Sequence, residues 1–224
     1  MIMVPDNPAN LANPVNPANP VNQQFDRVVA ALEAGAPAIF PTETVYGIGV
    51  AVGRAPTPEI LYDLKRRDHG KPVAWLVATP AALATYGTAT PAYASVLART
   101  FWPGPLTLIV AAAATVPAAF QSRAGTIALR MPANDLALAL IARVGAPLAT
   151  TSANLSGAPA PRRLDALDAT LLSQVDAVLS DDTEKSGIAS TIIDCTQNTP
   201  LLVRQGALSF AEIQACLTPD VLQP

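Results

Sequence analysis

Four basic side chains fall within seven positions at Lys65-Arg-Arg-Asp-His-Gly-Lys71, in a chain where only 14% of residues are charged. Ammonium and guanidinium groups neutralise phosphate oxygens and carboxylates, so this concentration, joined by Arg130 and Arg204, suits a polyanionic ligand. Hydroxyl-rich segments accompany it: Pro41-Thr-Glu-Thr-Val-Tyr-Gly47, Thr126 to Arg130, Thr150-Thr-Ser-Ala-Asn-Leu-Ser-Gly157, and Ser190-Thr191 ahead of Arg204-Gln-Gly206. Taken singly, each has a bland reading. Hydroxyl loops between a strand and a helix commonly just cap the helix. A lone arginine closing an apolar strand is more often a structural ion pair, and Lys65 to Arg67 alone would be a solvated helix end. It is the combination that favours a binding site.

The nucleotide motifs built on glycine loops are absent, since neither G-x-x-x-x-G-K-[ST] nor G-x-G-x-x-G occurs. Any nucleotide is therefore held by another arrangement. Residues two apart on a helix point to different sides, so Lys65 and Arg67 reach one ligand only if the helix ends near Lys65. Gly70 and Pro72 make such an ending reasonable.

Composition narrows the chemistry further. The single histidine, His69, cannot build a two-histidine metal site or a histidine relay, and Cys195 and Cys216 have no CxxC spacing. No protein-held metal is predicted, and metalloprotease and Ser-His-Asp chemistries are disfavoured. A net charge of −3 argues against a surface devoted to nucleic acid, although a local basic patch remains compatible with weak RNA contact. The longest apolar run, Leu106 to Ala114, falls well short of the roughly 20 residues of a membrane span. With no basic, apolar leader before Arg27, a cytoplasmic protein without membrane association is expected.

The elements that must position these residues alternate. Residues 1–22 are rich in Asn and Pro and read as a disordered or extended tail, followed by one domain over 23–217 and a short tail over 218–224. Phe25, Val28, Val29 and Leu32 have helical spacing that Gly35 can close, and Pro37 to Phe40 reads as a buried strand. A helix from Thr57-Pro58 runs toward Lys65. Strands are predicted over Val73–Ala78, Leu106–Ala111, Thr126–Met131, Pro147–Thr150, Ala177–Ser180, Thr191–Cys195 and Leu201–Arg204. Helices near 80–86, 91–100, 134–144, 164–174 and 209–217 fall between many of them. The segment Pro41 to Gly47 reads as a loop. The alternation predicts an α/β fold of α+β-like character, a twisted mixed sheet with helices packed on it.

Together the segments closely resemble the YrdC-like family. The resemblance rests on Pro41-Thr-Glu-Thr-Val-Tyr-Gly47, Lys65-x-Arg67 with Lys71-Pro72, Phe101-Trp-Pro-Gly-Pro-Leu-Thr107, Arg130-Met-Pro132, Ser152-Ala-Asn154, Ser190-Thr191 and Arg204-x-Gly206, in order over residues 24 to 217. It implies a YrdC-like fold with a large basic concave cavity. The implied activity is synthesis of threonylcarbamoyl-AMP from ATP, L-threonine and bicarbonate, feeding tRNA modification. It further implies a short form lacking an extra C-terminal domain, which hands its product to a separate tRNA threonylcarbamoyl transferase complex. By motif, Thr44, Arg130, Thr150 and Ser190 would hold L-threonine. Lys65, Arg67, Lys71, Thr126, Ser152, Asn154 and Arg204 would face ATP, with Lys65 and Arg67 acting in catalysis and Mg²⁺ arriving with the nucleotide. Asp68 stands where many members have proline after Lys-x-Arg, so the loop there can differ. Leu76 occupies a position that is polar in some relatives and is left out of the site.

Overall fold

A computed structural model of the chain describes residues 20–66 and 73–218. Arg67, Asp68, Lys71 and the rest of 67–72 lie outside the described residues, as do 1–19 and 219–224.

The N-terminal helix α1 spans Pro20–Glu33. It starts on proline, whose fixed φ and missing N–H suit a first turn, and so takes up three residues of the stretch read as tail. Its buried stripe is Val28, Val29 and Leu32, as the spacing predicts. Gly35 follows with φ +77°, and a Cβ there would lie 2.8 Å from the Arg54 carbonyl oxygen, so glycine is required at this corner.

Strands β1 (Ala38–Pro41) and β2 (Tyr46–Ala51) form an antiparallel hairpin. The sequence reading missed β2, because Gly47 and Gly49 break the β-branched pattern that marks strands. The glycines are there for space. A Cβ on Gly47 would stand 2.9 Å from Thr150 Cγ2, and one on Gly49 would stand 2.7 Å from Thr150 Oγ1.

Helix α2 (Glu59–Lys65) does end at Lys65, and it ends through Arg66 in the left-handed region at φ 50° rather than through a glycine. Strand β3 (Ala74–Leu76), helices α3 (Ala82–Tyr86) and α4 (Ala92–Phe101), and strands β4 (Leu106–Ala111) and β5 (Thr126–Arg130) follow. Helix α5 (Asp135–Val144) is capped by the Asn134 side chain, which accepts from Ala137 N, and closes at Gly145 with φ +69°. After β6 (Leu148–Ser152), the helix expected over 164–174 is reduced to a 3₁₀ turn at Leu164–Ala166 and the four-residue α6 (Ala169–Leu172). Asp168 accepts from the amides of Thr170 and Leu171 and restarts the chain there, cutting the segment in two. Strands β7 (Ala177–Val178), β8 (Thr191–Asp194) and β9 (Leu201–Arg204) and helix α7 (Phe210–Ala215), with a Ser209–Glu212 capping box, complete the described chain.

Among the described residues, nine strands form one mixed sheet in the order β7-β1-β2-β6-β3-β5-β4-β8-β9. Side chains alternate between faces, so the register sorts them. One face presents Ile48, Val50, Trp75, Leu108, Leu129 and Ile193 to the main core. The other face carries Ala38, Phe40, Ala51, Leu76 and Leu148, which pack under α1 and α5 as a second, smaller core. Farther across the sheet, no helix among the described residues packs on that same face.

Candidate functional site

The uncovered part of this second face carries the polar residues singled out above. Thr150 pairs with Gly49 and Ala74, and Ala74 with Ala128, so all four face the same way. By the two-residue alternation, Ser152, Thr126 and Arg130 join them. Across β4, β8 and β9, Thr107 pairs with Ile192 and Ile192 with Arg204, which brings Thr107 and Arg204 to the same side. The burial alternation agrees: along β5 and β8 the main-core positions are buried, while Thr126, Ala128, Ile192 and Asp194 are partly open. Small residues form the floor, and hydroxyls and guanidinium groups rise from it.

Arg130 is the centre of the patch. Only 7% of the residue is exposed. Its Nε donates to the Gly104 carbonyl at 3.2 Å, and its Nη2 donates to Glu43 Oε1 at 2.6 Å and Thr44 Oγ1 at 3.0 Å. Nη1 has no partner among the described residues. Thr44 is fixed in turn by Thr42, whose hydroxyl lies 2.9 Å from that of Thr44 and donates to the Val45 carbonyl at 2.7 Å. The Phe101–Thr107 motif acquires a physical role here. Its turn delivers the Gly104 carbonyl to Arg130, while the Pro105 carbonyl accepts from Thr191 N at 2.9 Å.

A second group continues the patch. Ser190, 6% exposed, shares a 2.8 Å hydrogen bond with Thr107. Arg204 clamps the same serine, with Nε 3.2 Å and Nη2 2.8 Å from its carbonyl. Thr191 binds the Leu208 carbonyl and accepts from Gly206 N at 3.0 Å. Gly206 cannot be replaced freely, because its Cβ would sit 2.1 Å from the Ala189 oxygen.

Lys65 is placed differently from the expectation of a ligand-facing cation. It is 2% exposed, and its ammonium donates to the carbonyls of Ser152 and Asn154 and to Asn154 Oδ1 at 3.1 Å. The lysine thus braces the Ser152–Asn154 turn, with Asn154 Nδ2 closing onto the Ala158 carbonyl at 2.6 Å. Thr150 spends its hydroxyl on the Leu148 carbonyl at 2.9 Å, and Thr126 pairs with Ser122 at 2.7 Å.

Sequence reasoning did not assign Glu43, Thr107 and Lys185. Glu43 and Thr107 lay inside quoted motifs, and the buried, apolar-flanked Arg130 was the signal that an acidic partner had to exist. Lys185 is the only lysine or arginine between Arg163 and Arg204, and it follows Asp181, Asp182 and Glu184. It is 1% exposed.

The large basic concavity is not delineated by the described residues. Two cavities of about 300 and about 400 Å³ share Asp181, Thr183 and Glu184, and carboxylates are prominent in both. Glu43, Asp181 and Glu184 line the larger, alongside Asn134 and Lys185. Beside it, burial pushes the Tyr46 phenol above its ordinary value, so it remains a hydrogen-bond donor.

Comparison with known proteins places this arrangement. The family model Sua5_yciO_yrdC, described as telomere recombination, matches residues 30–206. The chain is 32% identical over 193 residues to the threonylcarbamoyl-AMP synthase of Pyrococcus abyssi, aligning 86% of this chain with 57% of that protein. It is 34% identical over 200 residues to the threonylcarbamoyl-AMP synthase of Bacillus subtilis, aligning 88% with 57%. The chain thus spans little more than half the length of these two curated relatives. Among solved structures, P. abyssi Sua5 complexed with L-threonine superposes with a TM-score of 0.78 at 31% identity, over 88% of this chain and 57% of that one. E. coli YciO superposes with a TM-score of 0.75 at 25% identity, over 84% and 91%. Fold, motif order and aligned span agree: the chain belongs to the Sua5/YciO/YrdC family.

Proposed function

We propose that this chain makes threonylcarbamoyl-AMP from L-threonine, bicarbonate and ATP, with release of pyrophosphate, for the threonylcarbamoyladenosine modification of tRNAs reading ANN codons. The observation that carries the reading is the contiguous patch of Thr44, Arg130, Thr107, Ser190 and Arg204 on the part of the sheet that no described helix covers. Relatives named for this synthase, and a family structure holding L-threonine, support the choice of amino acid.

In this reading the open Nη1 of Arg130 takes the threonine carboxylate as a charge-assisted hydrogen bond, and the hydroxyls of Thr44 and Ser190 orient the rest of the amino acid. Thr150 contributes the pocket floor. The threonine amine adds to the carbon of bicarbonate, water leaves, and a carbamate forms. A carbamate oxygen then attacks the α-phosphorus of ATP and pyrophosphate departs. No protein nucleophile is needed, so the chain acts by positioning and by charge stabilisation.

Arg204, Thr126, Ser152 and Asn154, with Arg67 and Lys71, serve the nucleotide side and complete a basic cavity. Lys65 acts there through the turn it braces. Among the described residues no group of three or more His, Cys, Asp or Glu could hold a metal ion, so the donor set fits phosphate rather than Mg²⁺. The ion is assigned to the ATP phosphates, and no residue here is given a role toward it. The product passes to a tRNA threonylcarbamoyl transferase complex in the cytoplasm. No helix among the described residues is long and apolar enough to cross a membrane.

Pyrophosphate release from ATP, Mg²⁺ and bicarbonate, with and without L-threonine and with serine and glycine as controls, tests the reading. Release that depends on both threonine and bicarbonate is expected. Measurable ATP binding without threonine-dependent release would instead point to a family member with another carbamoyl acceptor.

A further inference from the structure

The segment from 181 to 190 has no helix or strand, yet it buries a lysine. Lys185 is 1% exposed, and an ammonium group taken out of water is costly unless charge and hydrogen bonds replace the solvent. The Asp181 carboxylate accepts from its Nζ, and the Tyr46 ring lies beneath it with the centroid 5.5 Å away. The Tyr46 hydroxyl donates to the Asp181 carbonyl at 3.3 Å, tying the same knot to β2.

The backbone around Lys185 is held just as closely. Its N–H donates to the Arg162 carbonyl at 3.1 Å, and Arg162 Nε returns a bond to the Lys185 carbonyl at 3.0 Å. The next two amides, Ser186 and Gly187, donate to the carbonyls of Glu43 at 3.1 Å and Thr44 at 2.8 Å. Gly187 has φ +75°, and a Cβ on it would stand 2.6 Å from Arg162 Cδ, so the segment can take this course only with glycine there. Three residues later it delivers Ser190 to Thr107. The strap therefore touches both sides of the patch centred on Arg130.

We propose that Lys185 is a positioning residue that pins this strap across the Thr42–Val45 turn and thereby sets the spacing between the Thr44 and Ser190 hydroxyls; the identity of the ligand they hold rests on the threonine reading above. A buried ion pair is often replaceable by apolar side chains without loss of stability. A lysine that only stabilised the fold would leave the balance between the two substrates unchanged. A lysine that spaces the amino-acid pocket affects one substrate and spares the other.

The test compares the full chain with Lys185→Met, which keeps an unbranched apolar stem and removes the ammonium group, Asp181→Asn, and the double variant. KM for threonine and for ATP are measured, together with hydrogen exchange at the Ser186 and Gly187 amides in the ligand-free protein. Expected for Lys185→Met is a rise of about tenfold or more in KM for threonine, with KM for ATP held within about threefold. Exchange at the two amides is expected to accelerate about tenfold or more as the strap opens locally. Asp181→Asn should move in the same direction, and the double variant should be no worse than Lys185→Met, because the two groups act as one unit. Asp181→Asn decides the matter if Lys185→Met does not fold. A folded variant with the parent's KM for threonine, or one in which both KM values rise together, overturns the proposal. If the parent shows no threonine-dependent release, the functional reading has failed, and amide exchange alone decides the role of Lys185: unchanged protection at Ser186 and Gly187 refutes it.

Discussion

The same sheet face is two different surfaces. Under α1 and α5 it presents Phe40, Leu76 and Leu148, all almost fully buried, and behaves as an ordinary core. Next to it, positions of the same parity carry Thr150, two residues from Leu148 on β6, Arg130, paired with Leu76, and then Thr126, Thr107 and Arg204 on β5, β4 and β9. Nothing in the strand geometry separates the halves. The difference is helix cover: where a helix supplies apolar partners the face is filled by hydrophobic side chains, and where no described helix does, the face carries polar groups that bond to one another. The contrast predicts two classes of variant, one that loses stability and one that loses turnover.

The largest effect is expected from Phe40→Ala in the covered half. Removing a fully buried aromatic should cost about 3–5 kcal/mol, read as a lower urea midpoint at unchanged slope, while turnover per folded molecule stays near that of the parent. A variant whose turnover fell in step with its folded fraction would sustain the contrast; a disproportionate fall would blur it.

In the open half, Arg130→Met combined with Glu43→Gln avoids leaving the Glu43 carboxylate buried without its guanidinium. We expect threonine-dependent pyrophosphate release to fall by about a hundredfold or more, roughly 3 kcal/mol of lost transition-state stabilisation, with a much smaller change in urea midpoint. Equal losses of activity and stability would mean that Arg130 belongs with the core.

The boundary between the halves can be probed at Gly49. Its substitution by alanine places a Cβ 2.7 Å from Thr150 Oγ1 and 2.8 Å from the Ala149 oxygen. A stability loss of about 1–3 kcal/mol is expected, with a rise in KM for threonine because Thr150 must move.

The smallest effect belongs to the main core on the opposite face. Burial pushes the Cys195 thiol up from an ordinary 9.0 to about 12. As pH rises, the unfolded thiol ionises first, so stability linked to this group is intact below about pH 9 and declines between there and about pH 12. At pH 8 a thiol reagent should leave Cys195 unmodified in the native protein and reach it only after denaturant is added.

Much of this molecule was legible in its residues. The apolar spacing of Val28, Val29 and Leu32 placed α1, and the order of short motifs pointed to the family before any coordinates. Local signals also misled. Gly47 and Gly49 hid β2, because the demand they answer comes from Thr150 on another strand. Lys65 read as a cation facing a ligand, but the carbonyls that hold it belong to a turn almost ninety residues away. Lys185 was not singled out at all: Asp181 lies four residues before it, but the Tyr46 ring that completes its surroundings lies far off in sequence.

Taken alone, the sequence determined which residue types the site has at its disposal and in what order they come, because side-chain chemistry and helical or strand periodicity are local properties. Which of them meet was decided by the tertiary structure. Whether a hydroxyl or a cation faces ligand, solvent or a carbonyl depends on sheet register and helix cover, and both are set by contacts between residues far apart in the chain.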